Sequence, residues 1–552
     1  MDSNAIRCDV LVVGGGAAGI RAAIEACDGG CDVLMVSKRT HGYCGSTFYP
    51  MSMPWGIITA GSEEEDKTGL FGEILEASCG CLNKKLTEIL VRQSADRFAD
   101  LCNYGIKFRL LSDSNEKPCF GNRPRGAQLI NLDNARKCLL GQINQRNIRV
   151  LDNLSIFDLM VHENICFGAM GVDEHGQIAA IYSKTVIMAA GGAEYLWKHN
   201  VVSPDITGDG YALAARYGAR LANMEFIQFI PGILAPVNRL LLHHTTLASL
   251  PTLRNSKGQE FLHNYLPQGV TMEDCLVERA SHGPFSNEDH SRYFDIAVSM
   301  EEQKDADRGV EIEYGDAYYS DKKYELWRNF LLSKGIDTKK TSLKVFPHCQ
   351  GFNGGILIDE NCRSDIENLY ACGESAGGPH GANRIGGNAI LATQVFGKIA
   401  GRQAAAKAKC IRHEKAFNAN CISMLKENFD SGVSSRLLPE EVMQNVMNIM
   451  QEAACILREE RKLTDGIEKI EQMEREYNSY QYMAENRNIK EALDAKNALI
   501  TARIILYAML NRKESRGSHY RMDYPNKLDG EFGRMQYVTL NKNRDTKFEK
   551  EH

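Results

Sequence analysis

The residues best suited to chemistry begin with a glycine run. Gly14-Gly15-Gly16-Ala17-Ala18-Gly19 follows a β-branched stretch at 8–13 and precedes a helical stretch at 20–27. This is GxGxxG spacing, in which each glycine has its own task. Gly14 permits a tight turn, Gly16 admits a pyrophosphate to the backbone, and Gly19 brings helix and strand together. The phosphates then rest on the positive end of the helix. The motif by itself does not separate FAD from NAD. Further glycine signals stand at 191–192, 208–210 and 373–387. A site drawing on segments so far apart suits the long FAD molecule better than a nicotinamide cofactor. Glu374 is placed to hold ribose or ribityl hydroxyls. Asp209 reads either as a cofactor contact or as a helix N-cap.

Cysteine is the other reactive type, with 17 copies. An odd number in a large chain reads as reduced thiols, not a disulfide framework. The closest spacings are Cys27-x3-Cys31 and Cys79-Gly-Cys81, and no CxxC pair offers zinc or iron–sulfur ligands. Cys349 stands apart, because a thiol near a flavin permits thiol chemistry.

These residues need elements to position them. Strands at 8–13 and 33–36 with the helix between form a βαβ unit. Residues 67–105 read as helical, with apolar Leu86, Ile89, Leu90 and Phe98. A strand at 185–188 leads into Gly191-Gly192, and a helix opens after Thr207-Gly208-Asp209-Gly210. Residues 235–345 turn to mixed polar segments and read as an inserted domain. From Pro439, Val442, Val446, Ile449, Ala453 and Ile456 make one apolar helical face. A further helix spans about 489–510, and the last ten residues read as a mobile tail.

At roughly 150 residues per domain, 552 residues predict three or four units. The charge sum, 65 − 71 = −6, argues against a nucleic-acid or anionic-membrane surface. Composition at 43% hydrophobic and 25% charged excludes fibrous and disordered classes. The polar start Met1-Asp2-Ser3-Asn4 is unlike a secretory signal, and no run is long enough to insert directly into a membrane. A cytoplasmic location is expected.

Several separated motifs carry a resemblance. They are Ser46-Thr47-Phe48-Tyr49, Thr207-Gly208-Asp209-Gly210, Met224-Glu225-Phe226-Ile227-Gln228-Phe229, Ala371-Cys372-Gly373-Glu374, His380-Gly381-Ala382-Asn383-Arg384-Ile385-Gly386-Gly387-Asn388 and the stretch from Arg512 to Arg521. The chain resembles the flavoprotein subunit family of succinate dehydrogenase, fumarate reductase and L-aspartate oxidase, from Asp9 to about Pro525. The resemblance implies an α/β fold: a discontinuous Rossmann-like FAD-binding domain (1–235 and 346–408), an inserted α+β capping domain (236–345), a helical C-terminal domain (409–525) and an extension (526–552). It places FAD contacts at Gly14, Gly15, Gly16, Ala17, Ala18, Gly19, Ser37, Lys38, Ser46, Thr47, Asp209, Glu374, Ala389 and Ile390. Membrane-bound members attach flavin through a histidine where this chain has Ser46, so non-covalent FAD is expected; His41 lies five residues away.

In that family, hydride passes between flavin N5 and a carboxylate-bearing substrate while one arginine relays the proton and others clamp carboxylates. A planar guanidinium suits the clamp because its fork pairs two oxygens at once. Arg384 matches the clamp. Arg279, in Cys275-Leu276-Val277-Glu278-Arg279-Ala280, resembles the relay arginine, although a surface helix arginine fits the local pattern as well.

Three family substrate elements are absent. His-Pro-Thr after Gln-Phe is replaced by Ile230-Pro231-Gly232, a glycine- and glutamate-rich stretch by residues 249–256, and His-Tyr-x-Met-Gly-Gly by a segment that places Gln350 at the histidine, with His348 two residues earlier. His348 reads as a proton donor or as a structural residue. Losing a buried hydrogen-bonding pair shifts specificity by orders of magnitude. Fumarate, succinate and aspartate are therefore expected to be poor substrates, and Ile230 suits a monocarboxylate or a larger acid with an apolar tail. The leading expectation is an FAD-dependent oxidoreductase for enoate reduction or the reverse dehydrogenation, served by an iron–sulfur or other electron-transfer partner. The alternatives are adenylylsulfate reductase-like flavin–sulfur chemistry and an FAD-carrying electron-transfer subunit.

Overall fold

The computed structural model describes residues 5–49, 55–111, 115–305, 309–411, 437–477, 488–541 and 546–550. The N-terminal residues 1–4 and part of the segment assigned to the helical domain (412–436) lie outside the described residues. The strand Ile6–Val13 pairs in parallel with Val33–Val36 on one side and Ile178–Met188 on the other. Val33–Val36 pairs in turn with Arg149–Leu151, and Leu369–Ala371 pairs in parallel with the end of Ile178–Met188. An antiparallel meander, Ser155–His162 and Ile165–Val172, completes this seven-stranded sheet. Parallel strands covered on both faces read as continuous apolar runs. Val10, Leu11, Val12 and Val13 are all buried, as that requires.

Helix Ala17–Asp28 crosses from the first strand to the second, and helix Asn388–Cys410 packs against it. Small residues set the spacing. A Cβ on Gly397 would lie 2.9 Å from the Ala18 carbonyl oxygen, and one on Gly401 would strike that of Ala22. The close packing places the N-termini of both helices beside the carboxyl ends of the parallel strands, where open α/β sheets bind ligands.

A second, five-stranded sheet is antiparallel: Leu240–Leu241, Ile227–Ala235, Leu343–Phe352, Val310–Glu313, Thr252–Arg254. Its two long strands lie largely outside the stretch 236–345. Between the pairs Gln228–Gly351 and Phe229–Cys349 the register shifts, which leaves Gln350 as an extra residue on its strand. Such a bulge re-aims a side chain. A further five-stranded sheet joins Leu221–Ala222 to Gly355–Leu357 and Gln536–Leu540. Helices Pro439–Ala453, Glu460–Glu476 and Ile489–Asn511 pack together, with Val442, Val446, Ile449 and Ala453 buried as their spacing predicts.

Two expectations are corrected. The helical stretch expected at 67–105 is three helices, Glu64–Ala77, Lys84–Arg92 and Ser94–Asn103. Cys79 and Gly80 take positive φ and break the first, and the Asn83 side chain caps the second by accepting from Lys85 and Leu86 N–H. Within the expected tail, Thr546–Lys550 is a strand paired antiparallel with Gln536–Leu540; residues 551–552 lie outside the described residues. Among the described residues no helix is long and apolar enough to cross a membrane.

Candidate functional site

One cavity of about 1230 Å³ lies along the ends of the parallel strands. Of the expected cofactor residues, all but Gly19 line it. Gly19 has the task its spacing implies, because a Cβ there would collide with the Gly14 carbonyl. Gly14 takes φ +123°, with the Ala189 carbonyl where a side chain would go, so only glycine fits the turn. Helix Ala17–Asp28 starts from Gly16 with no capping side chain, and helix Asn388–Cys410 starts likewise from Gly387. Two uncapped N-termini thus offer free N–H groups to an anion. Thr47 Oγ1 accepts from Ala17 N–H at 3.3 Å, while the buried Ser46 hydroxyl has no partner among the described residues. A buried hydroxyl left open in a cavity wall fits a ligand with polar edges.

At this end the charges are paired. Lys38 Nζ meets Asp209 Oδ2 and Asp494 Oδ1, each at 2.9 Å, and Thr207 Oγ1 at 2.8 Å. Burial opposes the Lys38 charge, but Asp209 and Asp494 outweigh it and hold the ammonium above the ordinary lysine range. Asp209 also accepts from Asn497 Nδ2 at 2.9 Å. The N-cap of its helix is Gly208, so the capping reading of Asp209 is corrected: it is the first helical residue, and its carboxylate turns to Lys38. His41 pairs through Nδ1 with Asp152 at 2.9 Å and is not part of the cavity wall.

The opposite end is built from single residues on separate elements. Arg384, on the loop before helix Asn388–Cys410, donates from Nη2 to Gln228 Oε1 at 2.7 Å and from Nε to Asn353 Oδ1 at 3.3 Å. Burial pulls its guanidinium below the usual range, and Glu374 and Glu194 pull it back. A Cβ on Gly351 would stand 3.1 Å from Arg384 Nη2 and 3.5 Å from Glu374 Oε1, so glycine there keeps the space open. Gln228 Nε2, Gln350 Oε1, Asn353 Nδ2 and His380 Nδ1 are buried without a partner among the described residues. At this bulge Gln350 lines the cavity, as Arg384 does. Ile230, Leu241, Trp327 and Phe330 supply an apolar wall, with His243 and His244 stacked at 5.2 Å and Cys119 close by.

The other expected catalytic residues lie elsewhere. Arg279 is wholly buried, not on the surface: Asp295 takes its Nε at 2.6 Å, and the carbonyls of His282 and Gly283 take the rest. It stands behind the wall, where its charge helps hold His244 well below the ordinary histidine range, burial being the larger cause. His348 is not at the cavity. Its Nδ1 lies 2.8 Å from the Phe346 carbonyl and its Nε2 3.2 Å from Asn238 Oδ1. Burial lowers it to about 3, so the imidazole is neutral and cannot donate a proton. Cys349 is also buried away from the cavity, and burial holds its thiol protonated. Single-residue spacing did not reveal His243, His244, Cys119, His380 or Glu194. His380 opens the motif that carries Arg384, and the His243-His244 pair was the remaining signal in a stretch that reads only as polar.

Comparison with known proteins gives the family. A model described as FAD binding domain matches residues 9–390, and one described as fumarate reductase flavoprotein C-term matches 443–552. The chain is 31% identical to one of the subunits of the fumarate reductase (CoM/CoB) of Methanothermobacter marburgensis, over 95% of this chain and 96% of that one. It is 29% identical to the L-aspartate oxidase of Clostridium acetobutylicum, over 77% and 94%. The fold matches the FrdA chain of E. coli quinol fumarate reductase with a TM-score of 0.80 at 21% identity, over 99% and 97%.

Proposed function

The chain belongs to the FAD-dependent oxidoreductase family of fumarate reductase, succinate dehydrogenase and L-aspartate oxidase flavoproteins, acting on CH–CH bonds, and from that premise we propose that it reduces an enoate with an apolar tail, or runs the reverse dehydrogenation. The observation that carries this reading is the Arg384 guanidinium, held by Gln228 and Asn353 in a cavity whose lining includes the apolar Ile230, Leu241, Trp327 and Phe330. Arg384 pairs one carboxylate, and the apolar side chains of the lining suit a hydrocarbon tail better than a second carboxylate, which would lose its partners against them.

The two helix N-termini would hold the FAD pyrophosphate, with Ser37, Lys38, Ser46 and Thr47 as donors, while the carboxylates Glu374 and Asp209 would meet cofactor hydroxyls and not phosphate. When bound, FAD supplies the hydride donor or acceptor. The protein's residues do the rest. Arg384 fixes the carboxylate, Gln350 and Gln228 orient it, and the Trp327–Phe330 wall excludes water. His244 lines the cavity with the Arg279–Asp295 pair behind it; burial keeps its imidazole neutral, so it can take up a proton at a ring nitrogen but does not supply one as an imidazolium. FAD is held non-covalently, because Ser46 offers no nucleophilic ring nitrogen and His41 does not line the cavity. The division into an FAD-binding domain, a cap over residues 236–345 and a helical C-terminal domain follows the same reading. Electrons come through a separate iron–sulfur or other electron-transfer protein, in keeping with a relative that is one subunit of a larger enzyme. Flavin–sulfur chemistry of the adenylylsulfate reductase kind is not favoured.

Anaerobic titration tests this. Reduced holoprotein is mixed with trans-cinnamate, crotonate or fumarate while flavin absorbance is followed. Reoxidation by cinnamate, slow reoxidation by fumarate and loss of both in Arg384→Ala support the reading. Fumarate as the fastest oxidant overturns the substrate class, and silence across the panel overturns the enzyme.

A further inference from the structure

The buried carboxyl of Glu194 has no part in holding the cofactor or the acid. It sits in the short 3-10 turn Glu194–Leu196, after the strand that leads into Gly191 and Gly192, and is fully buried. Neither of its oxygens has an N–H or hydroxyl donor among the described residues, and the carboxyl it faces within hydrogen-bond reach is that of Glu374. Both stand 2.7 Å from the position of a Cβ on Gly192, so the glycine makes room for them. A buried carboxylate set against a second carboxyl is strongly disfavoured; such a group stays protonated or claims a nearby cation.

The groups facing it come from four elements. Glu374 follows the strand Leu369–Ala371, and Arg384 lies on the loop before helix Asn388–Cys410. Tyr211 is on helix Asp209–Arg216 and Cys349 on strand Leu343–Phe352. Burial, then the neighbouring carboxyls, hold the Tyr211 phenol and the Cys349 thiol protonated. His380 is kept neutral by burial and by Arg384. Arg384 is the cation that acts on both Glu194 and Glu374. Glu374 Oε1 already accepts from Phe352 N–H at 3.0 Å and stands beside the guanidinium. One guanidinium therefore faces two carboxyls, and a substrate acid arrives as a third.

We propose that Glu194 is an internal competitor for the Arg384 guanidinium: protonated, it leaves the clamp to a substrate carboxylate, and ionised, it neutralises the clamp and repels the acid. The proposal rests on the reading of Arg384 as the carboxylate clamp. Its sign is fixed by linkage. Burial and the facing Glu374 push the Glu194 carboxyl well above its ordinary range, so it is neutral at low pH and ionises as pH rises. Acid affinity is full below that transition and falls by up to tenfold per pH unit above it. Within the transition, each acid that binds brings one proton into the protein. His243 and His244 are held below 6.5 by burial and titrate beneath this range.

The test uses oxidised holoenzyme and trans-cinnamate as the probe. Flavin absorbance gives Kd from pH 6 to 10, and calorimetry in two buffers of different ionisation enthalpy counts protons. Wild type is expected to lose affinity toward tenfold per unit at the upper end, with uptake approaching one proton per cinnamate. Glu194→Gln is expected to bind with a flat profile and no proton uptake. A flat wild-type profile with no proton uptake overturns the proposal, as does a Glu194→Gln variant that keeps the wild-type slope. A loss that is equal at every pH marks a structural role and overturns it too. If Glu194→Gln does not fold, the wild-type proton count decides. Cinnamate binding equally well to Arg384→Ala would instead overturn the clamp reading itself, which separates the two failures.

Discussion

The two ends of the cavity are built by opposite rules. At the nucleotide end the turn lies in six consecutive residues, and the charges around it are spent on one another, Lys38 on Asp209 and Asp494. At the acid end Gln228, Gln350, Asn353, His380 and Glu194 come from separate segments and leave polar atoms unpaired among the described residues. Paired groups hold a shape that serves a fixed cofactor. Unpaired buried groups are costly unless a ligand completes them, by about 1–3 kcal/mol each, so they mark the place where the partner changes during the reaction.

The sharpest way to break this contrast is at Gly19, which touches no ligand. Gly19→Ala forces a methyl into the Gly14 carbonyl. We expect colourless protein on purification and a destabilisation of about 1–3 kcal/mol from overpacking. Flavin content by absorbance and the urea midpoint measure both; yellow protein of unchanged stability would remove the packing account of the turn.

At the other end Arg384→Ala should retain flavin and lose acid-dependent reoxidation by on the order of 10³, the scale of removing one partner of a buried charge pair. Arg384→Lys should recover little, because a point charge cannot replace a planar fork. A variant that loses flavin as well would show that the ends are not separable. Gly351→Ala tests the same end more gently. Its methyl, 3.1 Å from Nη2, should raise KM for the acid about tenfold at constant flavin content, as steady-state kinetics would read.

The same contrast explains what the sequence disclosed. The GxGxxG turn, the strand–helix–strand unit and the amphipathic Pro439–Ala453 helix follow from local periodicity and were legible. So was Arg384, through the motif around it. The acid end was not, because its geometry depends on a strand register. Counting along 343–352 makes His348 and Gln350 look equivalent; the shift opposite Gln228 and Phe229 sends Gln350 into the cavity and leaves His348 in the core. Asp209 misled for a similar reason. A helix start suggested a cap, but Lys38, 171 residues earlier, claims its carboxylate. Glu194 carries no sequence signal, since its meaning lies in being buried against Glu374, 180 residues later.

His348 gives the smallest expected effect on catalysis and the cleanest separation of core from site. Because its nitrogens are spent on Phe346 and Asn238, His348→Gln should leave enoate reoxidation within about twofold of wild type. The change should appear in stability instead. Burial lowers the His348 imidazole from 6.5 to about 3, so between those values the unfolded chain binds a proton that the folded chain refuses. The stability tied to this residue is complete above about pH 6.5 and is lost as pH falls toward 3, at up to about 1.4 kcal/mol per unit. Urea midpoints at pH 7 and pH 5 should therefore converge in His348→Gln relative to wild type. A variant whose acid sensitivity is unchanged while its turnover collapses would return His348 to the site.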